Sequence, residues 1–342
     1  MSTPQCNPRV DSTLKEKLIN NSIYIVLFAL IVTVVIIDPS FLSLKNAGFI
    51  LSQSATRMIF ACAIAGPIVL GGTDLAAGRL IGFAGLLTAS LLQDPTYVQR
   101  VFPNLPVLPL FLPILLAMVV CVLFAVLEGY LVSKLKVAPF IASLGMQLVV
   151  YGLMSVYFDA VSDSAPIGVL DSRFTAFAQN GFVIFGFRLQ YITLYAIGVI
   201  ILVWFIWNRM RLGKNMFAIG GNQEAAVVSG VNVVTNTLLI YLLAGMLYGF
   251  GGALEAARTG SATNALGQGY ELDAIAACVV GGVSMRGGIG TIKGIITGVL
   301  LFQVISYGLV YIQVNPYLVY FVKGTIILIA VVIDTQKTIK KK

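Results

Sequence analysis

Four acidic residues lie inside or beside the apolar stretches of this sequence and are the first candidates for chemistry. They are Asp74, Glu128, Glu255 and Asp273. A carboxylate at membrane depth is energetically costly and is typical of ion and proton pathways. The chain contains no histidine, which excludes histidine triads, histidine metal sites and histidine proton relays. It also lacks the GxSxG, HExxH and GxxxxGK[ST] motifs. Ion-coupled transport is therefore one hypothesis, whereas an enzyme finds no support.

The composition shows what surrounds these residues. The 342 residues are 58% hydrophobic and 11% charged, and the mean hydropathy is +0.94. A soluble domain carries about 25% charged residues, so a bilayer must be the solvent for most of this chain. The net charge of +8 comes from basic clusters at the ends of apolar runs, a pattern that indicates membrane topology rather than nucleic-acid binding. The four cysteines show no CxxC spacing.

The apolar runs predict an all-α membrane protein with about ten transmembrane helices, some of them broken. Clear spans are predicted at 22–37, 110–132, 139–158, 190–207, 236–257 and 317–334. Less regular pieces lie at 57–71, 78–93, 272–283 and 289–311. The first twenty residues are polar, so we expect no cleavable signal peptide and interpret the first apolar run as a spanning helix.

The distribution of lysine and arginine predicts that both termini are cytoplasmic. The predicted inner loops hold Arg9, Lys15, Lys17, Lys134, Lys136, Arg209, Arg211, Lys214, Arg286, Lys293 and the basic C-terminal end. The predicted domains are a cytoplasmic segment at 1–20, a transmembrane domain at 21–335 and a basic cytoplasmic tail at 336–342. Within the transmembrane domain we predict a cytoplasmic loop at 208–235 and an outer loop at 159–189.

Two segments, 68–82 and 278–292, each place a glycine pair after an apolar half-helix. Paired broken helices in two halves of a chain point to a substrate path. The candidate path or hinge residues are Gly71, Gly72, Thr73, Asp74, Arg79, Gly281, Gly282 and, in a later loop, Asn264. The alternatives are that the glycines only allow close helix packing, and that Asp74 and Arg79 simply pair with each other.

The predicted cytoplasmic loop contains a short helix signal. Asn222 can cap its start, Glu224 suits its first turn, and Gly230 can end it. Residues 225–228 are small and apolar, which predicts a smooth surface that docks into a groove of another protein. The alternative is a connector that lies against the membrane interface.

The motifs together identify a family resemblance. The stretches GGTDLAAGR, VAPFIASLGMQLVVYG, GKNMFAIGGNQEAAVVSGVNV and GSATNALGQGYELDAIAACVVGGVSMRGGIGT resemble the permease subunits of bacterial ABC sugar importers, in the ribose and galactose branch. The resemblance extends from about residue 20 to the C-terminus. It departs from the family pattern at Ala76, Gln223, Val227 and the pair Met285–Arg286. The departure at Ala76 weakens any role for a hydroxyl group there in sugar contact.

The resemblance implies a homodimer in the bacterial inner membrane that imports a monosaccharide, with galactose or a methyl galactoside as the expected cargo. It also implies two ATPase subunits, or one double-ATPase chain, that hold the ATP and magnesium, and a periplasmic sugar-binding protein. No cofactor is expected on this chain. The implied coupling residues are Gly221, Asn222, Gln223, Glu224, Ala225, Ala226, Ser229 and Gly230.

The segment 258–271 is a candidate contact for the binding protein. We expect Arg258 to meet acidic residues there, with Ser261 and Thr263 beside it. The alternative is an ordinary solvated turn. Lys323 lies in the last predicted span, and the sequence leaves open whether it reaches the interface or pairs with an acid such as Glu255 or Asp273.

Overall fold

The computed structural model describes residues 31–184 and 187–339. The chain divides into two compact units: residues 44–300, and a second unit of residues up to 43 together with those from 301 onward. The predicted cytoplasmic segment at 1–20, residues 22–30 of the first predicted span and residues 340–342 of the basic tail lie outside the described residues.

The first unit is built almost entirely from helices. In chain order they are α1 (Leu44–Val69), α2 (Ala77–Leu91), α3 (Phe111–Ser133), α4 (Pro139–Ser162), α5 (Ser172–Gln179), α6 (Tyr191–Arg209), α7 (Arg211–Gly221), α8 (Gln223–Val228), α9 (Val233–Thr259), α10 (Tyr270–Val280) and α11 (Ile292–Tyr311), whose residues from Leu301 belong to the second unit. A hairpin of β1 (Gly181–Ile184) and β2 (Phe187–Gln190) stands between α5 and α6.

The second unit contains helical residues 31–37, a 3-10 turn at Pro39–Leu42, the end of α11, and α12 (Pro316–Ile339). Asp38 caps the turn by accepting a 2.9 Å hydrogen bond from the Ser40 amide. The ring of Phe41 packs against those of Tyr307 and Tyr311. Lys323 lies half-buried on α12.

Within the described part of the chain, six helices are long and apolar enough to cross a membrane: α1, α3, α4, α6, α9 and α11. Helices are confirmed at each predicted span within the described residues. The prediction at 57–71 was wrong at its start, because α1 begins at Leu44. Its first half contains polar residues that break the apolar run in the sequence but are buried in the fold, including Asn46, Ser52 and Thr56.

Helix α9 forms the centre of the first unit and packs against α3, α2 and α1. Its close approach to α3 depends on small residues. A Cβ on Gly245 would lie 2.8 Å from the Val122 Cα atom, and one on Gly249 would overlap the backbone at Met118. Small residues at such spacing let two helix backbones approach closely within a membrane.

The predicted outer loop, 159–189, is more ordered than its sequence suggested. It contains α5 and both hairpin strands except Gln190, so the expectation of a purely helical chain misses one small β element. Asp171 caps α5 through a 2.8 Å hydrogen bond from the Arg173 amide. The Arg173 side chain also donates hydrogen bonds to this carboxylate and, together with the amide, holds the pKa of Asp171 below its ordinary value.

Candidate functional site

The segment 208–235 is mostly helical rather than a loop. The structure confirms the short helix predicted near residues 222–230: it is α8, and the Asn222 side chain accepts a 2.9 Å hydrogen bond from the Ala225 amide. Glu224 lies in the first turn, and Gly230 has a φ of +81° beyond the helix end. The prediction missed α7, which precedes it, because the sequence GKNMFAIGG contains three glycines and no long apolar run.

The exposed apolar surface of α8 is narrower than predicted. Ala226 is only 3% exposed, so its side chain faces inward and is not part of the predicted smooth surface. The chain returns beneath it, where the Val231 amide donates a 3.0 Å hydrogen bond to the Ala226 carbonyl. Val228, by contrast, is 90% exposed. The free surface therefore combines Val227 and Val228 with the polar residues Gln223 and Glu224.

The two glycine pairs end their helices with the same backbone geometry. We call residues 70–76 the first joint and residues 281–290 the second joint. Gly71 (φ +87°) and Gly282 (φ +86°) both adopt a left-handed conformation, and each donates a 2.9 Å hydrogen bond to the carbonyl three residues earlier. The next residue in each case bonds to the carbonyl five residues earlier. Both helices thus close with a glycine-dependent C-terminal cap, although the left-handed glycine is the first of one pair and the second of the other.

Helix α7 meets the second joint and the end of α1, the residue just before the first joint. The Gly288 amide donates a 2.9 Å hydrogen bond to the carbonyl of Val69, the last residue of α1. Gly220 of α7 fits against this bond: a Cβ there would overlap the Val69 carbonyl and lie 2.7 Å from the Gly288 nitrogen. The end of α1, the second joint and the residues just before α8 are therefore in direct backbone contact.

Asp74 anchors the first joint to α2 and α9. It is fully buried. One carboxylate oxygen accepts a 3.0 Å hydrogen bond from the Ala77 amide, and the other accepts a 2.7 Å bond from the Tyr248 hydroxyl. Asp74 thus holds the start of α2 and one face of α9 in a single bonded unit.

Arg79 does not pair with Asp74; the described residues contain two ion pairs, and neither involves these side chains. Its guanidinium group lies over the Tyr151 ring, 4.2 Å from the centroid, and donates a 3.3 Å hydrogen bond to the Asn264 carbonyl. The structure therefore brings together the candidates Arg79 and Asn264. Thr73 lies between the glycines and Asp74 in the first joint.

A line of buried polar groups follows one face of α9 at a spacing of seven residues: Tyr241, Tyr248 and Glu255. The tyrosines were not predicted as site residues, although this spacing in the sequence could have indicated them. Glu128 of α3 is also fully buried, and neither of its oxygens has a hydrogen-bond partner. It lies near enough to Asp74 and Tyr241 for their charges to interact.

Glu255 belongs to a satisfied ion cluster. It accepts hydrogen bonds from Thr56 (2.8 Å), Tyr270 (2.9 Å) and the Arg258 side chain (2.8 and 3.0 Å). Arg258 is thus paired with a buried acid, and its contact with acidic residues of another protein stays a prediction. Among the other predicted contact residues, Ser261 and Thr263 are half-buried in the turn after α9.

Among the described residues, no group of three or more cysteine or acidic side chains could hold a metal ion. The main structural feature is the pair of joints that interrupt membrane helices. Helix α7 links these joints to the exposed, capped helix α8. This arrangement defines a membrane transport component.

The comparison with known families agrees with this class. Residues 46–331 match the permease component of the branched-chain amino acid transport system family, and the chain belongs to that family. It is a multi-pass membrane permease. No solved structure matches the chain.

Individual relatives are similar over almost the whole length. The chain is 51% identical to the galactose/methyl galactoside import permease of Haemophilus influenzae, over 94% of this chain and 96% of the relative. It is 53% identical to the permease of the same description from Escherichia coli, over 94% and 95%. The ribose import permease of Bacillus subtilis is 35% identical, over 91% of each chain.

Proposed function

We propose that this chain is the membrane-spanning permease subunit of an ATP-driven, binding-protein-dependent importer in the bacterial inner membrane. We assign galactose or a methyl galactoside as its cargo, because identity to permeases described for these sugars is 51–53%, against 35% for a ribose permease. The single observation that carries the ATP-driven mechanism is the link between the exposed helix α8 and both joints.

The proposed topology has ten transmembrane segments with both termini in the cytoplasm. Two groups of helix ends support it. The ends at Val69, Ser133 and Gly221 adjoin one another and carry basic neighbours such as Lys136. A second group is joined by the bridges Gln93–Leu170 and Ile167–Ala262. An even number of crossings puts both termini on one side of the membrane, and the basic residues assign that side and the first group to the cytoplasm.

In the proposed mechanism, α8 enters a cleft in a partner ATPase, which holds the ATP and magnesium. Two copies of this chain and two ATPase domains form the complex, and a periplasmic binding protein delivers the sugar. Closure of the ATPases moves α8, and α7 transmits that movement to both joints. The bundle then changes between outward-facing and inward-facing states, a two-state transition biased by ATP.

The experiment compares two equally exposed valines. Val228 of α8 is 90% exposed and Val98, before α3, is 93% exposed. We expect Val228→Asp to abolish capture of the ATPase by the tagged permease and to stop ATP-driven galactose uptake in proteoliposomes. Val98→Asp should retain ATPase capture, because it lies in the second, outer group of segments. Equal capture by both variants would refute the docking role of α8.

The same assay tests an ion-coupled transporter, which the buried Asp74 and unpartnered Glu128 favour. Uptake by the permease alone along a proton or sodium gradient would support that function. Dependence on ATP, the ATPase and the binding protein together would reject it.

A further inference from the structure

A cavity of about 320 Å³ lies beside the first joint. We call it the joint cavity. Its polar lining comes from Ser133, Lys136, Gln223, Thr237 and Tyr241, and Gly71 and Gly72 form part of its wall. The volume is at the lower end of the range of about 300–1,000 Å³ for small-molecule sites. Residues of α1, α3, α4, α7, α8 and α9 and of the first joint line this space, which is large enough for a small ligand.

The polar lining consists mostly of neutral hydrogen-bonding groups, which suit a hydroxyl-bearing ligand. Hydroxyl groups come from Ser133, Thr237 and Tyr241, an amide comes from Gln223, and Lys136 is the one charged residue in the lining. Sites of this kind combine apolar walls with a few placed polar groups.

Lys136 supplies a second, independent observation. Its backbone has a φ of +57°, and it follows the end of α3, where glycine is the usual residue in this conformation. A strained non-glycine residue at the edge of a cavity points to a need for its side chain. The ammonium group of Lys136 can donate hydrogen bonds to a sugar hydroxyl.

The cavity is lined by α8 and by the first joint, the two parts that move in the proposed mechanism. Gln223 is the first residue of α8, while Gly71 and Gly72 belong to the first joint. A ligand in the cavity would contact both and restrain their relative movement. Its occupancy would therefore oppose the movement that the proposed function assigns to ATP binding.

We propose that the joint cavity binds one neutral hexose from the cytoplasm and that the bound sugar slows further import. This inference rests on the proposed function, because it places the cavity on the cytoplasmic side. It assigns a regulatory role to a site whose wall includes Gly71 and Gly72, two of the candidate path or hinge residues.

The test uses the complete complex in proteoliposomes with ATP enclosed. The lumen holds no sugar, unlabelled galactose or galactose phosphate, and the readout is ATP hydrolysis stimulated by external sugar-loaded binding protein. We expect enclosed galactose to inhibit hydrolysis in a saturable way and galactose phosphate to have little effect. Inhibition by the phosphate alone would overturn the assignment of a neutral ligand, and inhibition by neither would overturn the site.

Three variants locate the effect. Thr237→Val removes one lining hydroxyl and should raise the half-inhibitory galactose concentration roughly 2- to 12-fold, the value of one neutral hydrogen bond. Lys136→Gly keeps the left-handed backbone and should weaken inhibition as well. Thr193→Val alters a threonine of equal burial on α6, and it should leave the inhibition unchanged. Each inhibition is expressed relative to that variant's own rate in sugar-free liposomes.

The outcomes separate the two proposals. If hydrolysis and uptake in sugar-free liposomes do not depend on the binding protein and ATPase, the proposed function fails. If they do depend on them and the three variants respond identically to enclosed galactose, only the joint cavity is rejected.

Discussion

Replacement of Gly220 by alanine tests whether α7 packs directly against the end of α1 and the second joint. In an open helix interior, alanine stabilises by about 1 kcal/mol relative to glycine. At Gly220 the new methyl group would overlap the Val69 carbonyl and lie 2.7 Å from the Gly288 nitrogen. The chain can relieve this overlap only by separating α7 from the end of α1, because both neighbouring atoms are backbone.

The cost of that separation can be estimated from the structure. Overpacking typically costs about 1–3 kcal/mol. Loss of the 2.9 Å bond from Gly288 to Val69 leaves a donor and an acceptor poorly paired, at about 1–3 kcal/mol. After the helix-propensity gain, the net destabilisation should be about 3 kcal/mol.

The control is the adjacent residue. A Cβ on Gly221 would meet nothing within 4 Å, so Gly221→Ala should be neutral or slightly stabilising. The assay is thermal unfolding of the purified chain in detergent, combined with hydrogen exchange of the Gly288 amide. Gly220→Ala should lower the melting temperature and speed exchange at Gly288. Equal melting temperatures and unchanged exchange in both variants would refute the backbone link.

Three further predictions concern single side chains. Tyr248→Phe leaves one oxygen of the buried Asp74 without its 2.7 Å donor and should destabilise the chain by about 1–3 kcal/mol, measured by thermal unfolding; Tyr195→Phe, on a half-buried ring, is the control. Asn222→Ala removes the cap of α8 and should cost about 0.5–2 kcal/mol of local helix stability, which weakens ATPase binding in a titration; an unchanged affinity would contradict this. The lowered pKa of Asp171 means that its stabilisation is complete above the ordinary carboxyl pKa and is lost as the pH falls through the lowered value. An Asp171→Asn variant should therefore lose less stability than the parent chain on acidification below about pH 4, and parallel stability curves would count against this role.

The sequence predicted the helices best where apolar residues were continuous. The runs that became α3, α4, α6 and α9 were located to within a few residues. Helix α1 was shortened in the prediction because its polar residues are buried against other helices, a tertiary effect that local hydropathy does not detect. Helix α7 was missed for a related reason: its Gly220 is explained by contacts with Val69 and Gly288, which are far away in sequence.

In the candidate site, too, features set by neighbouring residues were predicted, whereas features set by tertiary packing were not. The cap of α8 and the glycine joints depend on neighbouring residues and were predicted. The partners of Asp74 and Arg79 depend on packing between elements, and they were not predicted. The pair Arg258–Glu255 lies within α9, three residues apart, and was also not predicted. The burial of Ala226 likewise depends on how the chain returns after α8.

The shortness of α8 explains why its attachment matters for the proposed mechanism. A six-residue helix is far below the length at which isolated helices are stable, about 12–15 residues, so its shape depends on its cap and on the structure that holds it. That structure is α7, whose Gly220 touches the end of α1 and the second joint in the same place. In the proposed mechanism, a movement of α8 is therefore transmitted through α7 to both broken helices. The two joints, which have the same type of glycine cap, would then change conformation together, as a transition between outward-facing and inward-facing states requires.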